Sequence, residues 1–318
     1  MINKNKLSFT LAMPLLMAMA AYFTACNPKP GGEEIKNAGT LKEGRWRGLL
    51  HTQGKELPFL FDVEQSGDDY LIYLINAAER IPLDEATFTG DSLHLPMYIF
   101  DATLHARLDG NHLEGLWVKN YTDDYRVPFS ASHGDSARFT LTSGLQPASF
   151  GGKWEVDFIS ENKIEKALGV FDQQGSYLTG TFLTSTGDYR FLEGVVNGSS
   201  MKLSTFDGTH AYLFEGEMNE QGEIAGQFWS GKSWHQRWTA KKNANFELPD
   251  PYTLTTVKDR DEVFEINFPD NNGEMVSLSD DKYKGKVVVV QIMGTWRPNC
   301  MDETRFLPIG KGVTKTKS

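Results

Sequence analysis

Few side chains in this chain could do covalent chemistry, and their types limit what that chemistry could be. Of its 318 residues two are cysteine, Cys26 and Cys300. Two cysteines exclude a disulfide-stapled scaffold and a zinc site built from four thiolates. All seven histidines lie between His51 and His235. His94, His105 and His112 fall on neighbouring expected strands, but their spacing fits no zinc signature, so neither a metal nor a cofactor is expected. Ser132-His133-Gly134-Asp135 holds the residue types of a hydrolase triad. Neighbours in one loop seldom reach that geometry, and a turn is the expectation. Six of the seven tryptophans share the same stretch: Trp46, Trp117, Trp154, Trp229, Trp234 and Trp238. Their ordinary role is to pack a sheet face, with a ligand groove lined by Trp229, Trp234 and Trp238 as the alternative.

The elements that must position these residues begin with an address. A chain that is 40% hydrophobic and 23% charged buries a core. Its net charge of −10 comes without a basic stripe until a short Lys-rich tail, so nucleic acid is not an expected partner. Residues 1–25 open with Lys4 and Lys6 and then run apolar from Leu7 to Ala21, which predicts a signal peptide too short for a comfortable membrane span. Phe23-Thr24-Ala25-Cys26 resembles a bacterial lipobox. That resemblance implies lipidation at Cys26, a tethered linker over 26–42, and a place in the cell envelope facing the periplasm or the cell surface. The membrane is then a partner through the anchor.

Residues 43–242 read as all-β. Short alternating runs such as Leu57–Val63, Tyr70–Leu74 and Leu113–Val118 are separated by Gly, Asp and Asn turns, and no stretch keeps helical spacing for three turns. The region also repeats itself. Gly44-Arg45-Trp46 matches Gly152-Lys153-Trp154, and Phe61-Asp62 matches Phe171-Asp172. Gly90–Leu95 matches Gly198–Leu203, Phe100-Asp101 matches Phe206-Asp207, and Leu113 with Trp117 matches Ile224 with Trp229. The offsets stay between 106 and 112 residues (100 to 206, 117 to 229) in one order. Two related antiparallel halves are predicted, about 43–129 and 151–240, as a barrel or as sandwiches.

A linker over 243–253, with Pro249 and Pro251, leads to a segment at 254–318. Val263–Phe268 and Met275–Leu278 read as short strands around the turn Asp270-Asn271-Asn272-Gly273. The β-branched run Val287–Met293 reads as a strand buried on both faces of a parallel α/β sheet. It is followed by Thr295-Trp296-Arg297-Pro298-Asn299-Cys300-Met301-Asp302-Glu303. This stretch, with its Gly285-Lys286-Val287 lead-in, resembles the membrane-tethered thiol–disulfide oxidoreductases of the thioredoxin fold, the TlpA-like family. The resemblance covers residues 245–307. It implies an incomplete α/β thioredoxin-like domain that reduces or isomerises disulfides of envelope proteins, with Cys300 at the resolving position and Trp296, Pro298 and Glu303 in the site. Arg297 stands where the family has its attacking cysteine, and a guanidinium is no nucleophile. Pro308 and two glycines then stop the helix, so half of the domain is expected to be missing.

Three functions compete on these residues. The family activity, impaired by Arg297 and the truncation, is the first. A non-catalytic, lipid-anchored β-barrel or sandwich that binds a ligand or partner is the second. A decayed or frameshifted copy is the third.

Overall fold

The computed structural model describes residues 40–67, 69–97, 101–254, 265–294, 300, 303–304 and 307. The expectations for the signal segment, Cys26, Trp296, Arg297 and Pro298 fall outside those residues.

Strand formation follows the alternation. β1 (Gly44–Thr52) buries Trp46, Gly48, Leu50 and Thr52, every second residue. It turns through Gln53 and Gly54, both at positive φ, into β2 (Lys55–Ser66). Two such residues make the turn whose twist matches a hairpin. β3 (Asp69–Asn76), β4 (Glu79–Leu83), β5 (Thr87–Thr89), β6 (Ser92–Met97), β7 (Ala102–Asp109), β8 (His112–Lys119) and β9 (Arg126–His133) complete an antiparallel sheet of order β4-β3-β2-β1-β9-β8-β7-β6-β5. After a connection through Arg138 a second set follows. It comprises β10 (Gly152–Ile159), β11 (Ile164–Gln174), β12 (Tyr177–Thr184), β13 (Gly187–Asp188), β14 (Leu192–Asn197), β15 (Ser200–Phe206), β16 (Ala211–Met218), β17 (Ile224–Ser230) and β18 (Trp234–Lys242). Every pairing of the first sheet recurs in the second with nine added to each strand number.

One pairing is new, and it changes the shape. β12 also pairs with β14, which closes eight strands, β10 to β12 and β14 to β18, into a barrel. The equivalent strands β3 and β5 are not paired, so the first sheet curls but stays open. Strand length is the reason. β4 occupies Ile72–Asn76 of β3, leaving three residues of that strand free. β13 occupies only Leu183 and Thr184 of β12, so Tyr177–Gly180 are available to β14.

The barrel encloses no lumen. Phe158, Phe182, Phe214, Phe228 and Trp238 are buried inside it, with ring centroids 4.2 Å apart for Phe214 and Phe228 and 4.6 Å for Phe182 and Phe214. An eight-stranded barrel is just wide enough for side chains to fill. Tyr189 joins this stack, and burial pushes its phenol up to about 12. The outward-facing Phe206, Ala211, Leu213 and Trp229 of β15 to β17 belong instead to the core of the open sheet. The barrel wall thus covers the concave face that the first sheet cannot close on itself, removing its apolar side chains from water.

The repeated Gly-x-Trp element does the same job twice. Trp46 donates its indole N–H to the Lys42 carbonyl at 2.9 Å, and Trp154 donates to the Phe150 carbonyl at 2.6 Å, each four residues back. A buried indole must satisfy its N–H, and the entering chain supplies the acceptor in both sheets.

The thioredoxin-like domain expected at 254–318 is corrected by the structure. The described residues there form a hairpin, β19 (Asn267–Pro269) with β20 (Met275–Ser277), a 3-10 turn at Asp281–Tyr283, and helical backbone at Cys300, Glu303 and Thr304, with no parallel sheet beside it. Val287–Met293 is not a strand; Val287 is 96% and Ile292 94% exposed. β propensity alone does not make a strand, because its N–H and C=O groups need paired neighbours. None of the described residues pairs with this run. Among the described residues, neither hydrophobic core includes one beyond Ala240.

Candidate functional site

The barrel's closure leaves a cleft on its outer wall, of about 810 Å³. The floor is the β11–β12 hairpin. There Val170, Asp172 and Gln174 stand opposite Thr181, Thr179 and Tyr177, and all six line the cleft. One wall is the β13–β14 connection with Asp188, Arg190 and Phe191; the other is the β3–β4 turn of the open sheet, Ala77 and Ala78. Ala77 and Arg190 both adopt positive φ, so each connection bends sharply at the rim. Phe191 is 50% and Tyr177 44% exposed, two half-covered aromatic faces in one concavity. The Thr181 hydroxyl is buried in the floor without a hydrogen-bond partner among the described residues.

Behind the cleft lies the polar seam that holds barrel and open sheet together. Arg138, with a side chain only 3% exposed, donates to the carbonyls of Ile75 (2.6 Å), Pro58 (3.4 Å) and Ser204 (3.4 Å), and to Glu193 Oε2 (2.9 Å). Glu193 Oε2 also accepts the Ala77 backbone N–H at 2.9 Å, which ties the cleft's open-sheet wall to β14. Burial pushes the Tyr177 phenol up, and the neighbouring Glu193 charge adds to this. Arg190 pairs with Glu79 of β4 and lies 3.7 Å from Asp207. Burial works to raise the Asp207 carboxyl, but His210, bound through Nδ1 at 3.0 Å, and Arg190 hold it below the usual carboxylate range. The cleft is therefore rigidly framed. It offers two aromatic faces, a threonine and glutamine floor, and the exposed carboxylates Asp172 and Asp188.

The residues singled out by sequence are dispersed. Trp238 is inside the barrel, Trp229 faces the open sheet under Lys55 (4.2 Å from its ring), and Trp234 is exposed, so the three line no common groove. Ser132 bonds His112 at 3.1 Å, while His133 bonds the Glu43 carbonyl at 2.8 Å; no Ser-His-Asp chain forms. Among the described residues no group of three or more His, Cys, Asp or Glu side chains converges as metal ligands. Cys300 is a half-buried free thiol in helical backbone, and its carbonyl accepts from Gln291 Nε2 and Thr304 Oγ1 at 3.2 and 2.7 Å. Glu303 also accepts from Gln291, at 3.0 Å. Arg138 and Glu193 carried no sequence signal, because Arg138 meets Pro58, Ile75, Glu193 and Ser204, all more than 50 residues away, and Glu193 meets Ala77 across 116 residues.

These features define a nearly all-β protein, a closed and filled barrel bound to a curled open sheet, with a cleft at their seam. No protein-family model matches the sequence, and no curated protein matches it. Among solved structures, one match is a Bacteroides fragilis protein provisionally assigned to the outer membrane, 10% identical, covering 63% of this chain and 97% of that one at a TM-score of 0.21. Another is the transferrin binding protein B of Haemophilus parasuis, a vaccine antigen, 12% identical, covering 62% of this chain and 45% of that one at a TM-score of 0.19. Scores this low leave the fold to be described from the chain itself. With no thioredoxin sheet among the described residues, the TlpA-like assignment and the oxidoreductase function it implied are withdrawn.

Proposed function

We propose that this chain is a non-catalytic, lipid-anchored binding protein of the cell envelope, whose β-region takes a small amphipathic ligand in the cleft above β11 and β12. The cleft carries the reading. Its 810 Å³ lies within the roughly 300–1,000 Å³ typical of ligand sites, which favour domain junctions and mix apolar walls with a few polar groups. Phe191, Tyr177 and Val170 suit the apolar face of a ligand, and Thr179, Gln174 and Asp172 its hydrogen-bonding groups. The exposed carboxylates disfavour an anion. Nile red, neutral and apolar, is a suitable probe. Phe191→Ala is expected to weaken its binding at least fivefold, read by fluorescence titration, with the melting temperature unchanged. Equal affinity in the variant would remove the cleft as the site.

The anchor rests on the basic and apolar leader ending at Cys26, and an envelope address agrees with the outer-membrane assignment of the Bacteroides fragilis protein. A thioether-linked diacylglycerol plus an N-acyl chain gives stable attachment by hydrophobic burial. Metabolic labelling with a fatty-acid analogue is expected to mark the parent and not Cys26→Ala. Labelling that survives the substitution would end the tether.

A further inference from the structure

Three places outside the cleft hold chemistry that the binding function does not use: the Asp207–His210 pair, the free thiol of Cys300, and a histidine pair on the outer face of the open sheet. The first is fully engaged in its own turn, with Asp207 Oδ1 accepting the backbone N–H groups of Thr209 and His210. Among the described residues the thiol has no second cysteine beside it. The histidine pair is different.

β6 and β7 are registered so that His94 stands directly opposite His105. Both residues are exposed, and their ring centroids are 4.8 Å apart. Each turns the same nitrogen toward the other, Nδ1 to Nδ1 at 3.1 Å. Without a metal, one Nδ1–H donates to the other ring's lone pair. Moving that proton to Nε2, on the far side of the ring, frees a lone pair on each of two nitrogens 3.1 Å apart. A metal about 2.0–2.1 Å from each of two nitrogens separated by 3.1 Å subtends roughly 100°, close to a tetrahedral angle and to the cis angle of a square plane. We propose that His94 and His105 form a two-imidazole site for a borderline divalent transition cation, Cu2+ ahead of Ni2+ and Zn2+, with water completing the coordination sphere.

Several observations favour this use of the pair. The register places the two rings side by side on one exposed sheet face, with Nδ1 of each 3.1 Å from Nδ1 of the other. Arg107, the nearest cation on the same face of β7, is occupied by Asp91 at 2.6 Å. The strands fix both backbones, so little conformational freedom is lost on binding. His112 and His51 are excluded from the site, since each is hydrogen-bonded to a serine of β9, Ser132 and Ser130. The order among cations follows the general affinity series of nitrogen ligands.

The test is a calorimetric titration of the full chain with Ni2+ at pH 7.5, with Cu2+ electron paramagnetic resonance beside it. One site is expected. His94→Gln and His105→Gln should each weaken Ni2+ at least tenfold, and His112→Gln should leave it unchanged. The Cu2+ spectrum should show two equatorial nitrogens in the parent and fewer in either variant. Both side chains are exposed, so the circular dichroism of the variants should match the parent. An observation on the unaltered chain guards against a folding defect: diamagnetic Zn2+ should shift the imidazole resonances of His94 and His105 and not that of His112. Equal Ni2+ affinity in the two variants, no binding below millimolar Ni2+, or Zn2+ shifts confined to other histidines would each overturn the site.

Discussion

Arg138→Ala is expected to destabilise the β-region by about 3–5 kcal/mol, the range for breaking a buried ion pair from one side. The guanidinium holds acceptors from both bodies: Pro58 and Ile75 on the open sheet, Ser204 and Glu193 on the barrel. Truncation leaves the Glu193 carboxylate buried without its cation and takes a donor from the Ile75 and Ser204 carbonyls, while Pro58 keeps the Ser204 hydroxyl at 2.6 Å; the cost is desolvation rather than the loss of one contact. Equilibrium unfolding in urea measures it. Removing both charges, Arg138→Met with Glu193→Leu, should recover much of the loss, because an apolar pair of similar volume requires no desolvated charge. Recovery should be incomplete, since Glu193 also accepts the Ala77 N–H. A single-variant loss below about 1 kcal/mol would mean that the seam is hydrated or dispensable. The variant should also loosen Nile red binding, because the Ala77 wall of the cleft hangs on the same carboxylate.

Trp238→Ala is the second large effect, expected at about 3–5 kcal/mol from lost burial plus the cavity left behind. The indole is fully buried in the barrel, 5.4 Å from the Phe182 ring, and donates to the Gln227 carbonyl at 3.2 Å. It lies on the bare backbones of Gly226 and Gly216. A Cβ on Gly216 would come within 2.8 Å of it, and one on Gly226 would collide with it outright. Those two glycines leave no side chain able to swing into the vacated space, so collapse is poor and the cost high. Exposed Trp234 is the control, and alanine there should cost under about 0.5 kcal/mol by the same thermal or urea melts. Similar losses at both positions would contradict a filled barrel.

The two tryptophans show where a linear reading stops. Trp117 and Trp229 match in the repeat at an offset of 112, and both sit on their sheet's eighth strand. Trp117 is nevertheless in the open sheet's own core, donating to the Gly208 carbonyl at 2.9 Å, while Trp229 points outward from the barrel. The barrel residue on Trp117's face is Phe228, one position earlier. A slip of one residue flips a strand side chain to the other face, so amino-acid identity aligned the pair and register separated them. The Val287–Met293 run marks a second limit. Its composition is that of a buried strand, and it remains exposed because burial requires partner strands that the run itself cannot supply.

Local chemistry was written in the chain: alternation made the strands, glycines at positive φ such as Gly54, Gly110 and Gly198 made hairpin turns, and the repeated Gly-x-Trp latched each sheet at its start. These depend on residues a few positions apart, which sequence orders directly. Tertiary structure decided the rest. The closure of one sheet and not its twin turned on the lengths of β4 and β13. The covering of the open sheet by Phe206 and Leu213, the staple at Arg138, and the meeting of His94 with His105 depended on register and on contacts across folded strands. Such contacts exist only after loop closure brings distant chain together, and no periodicity in the sequence records them.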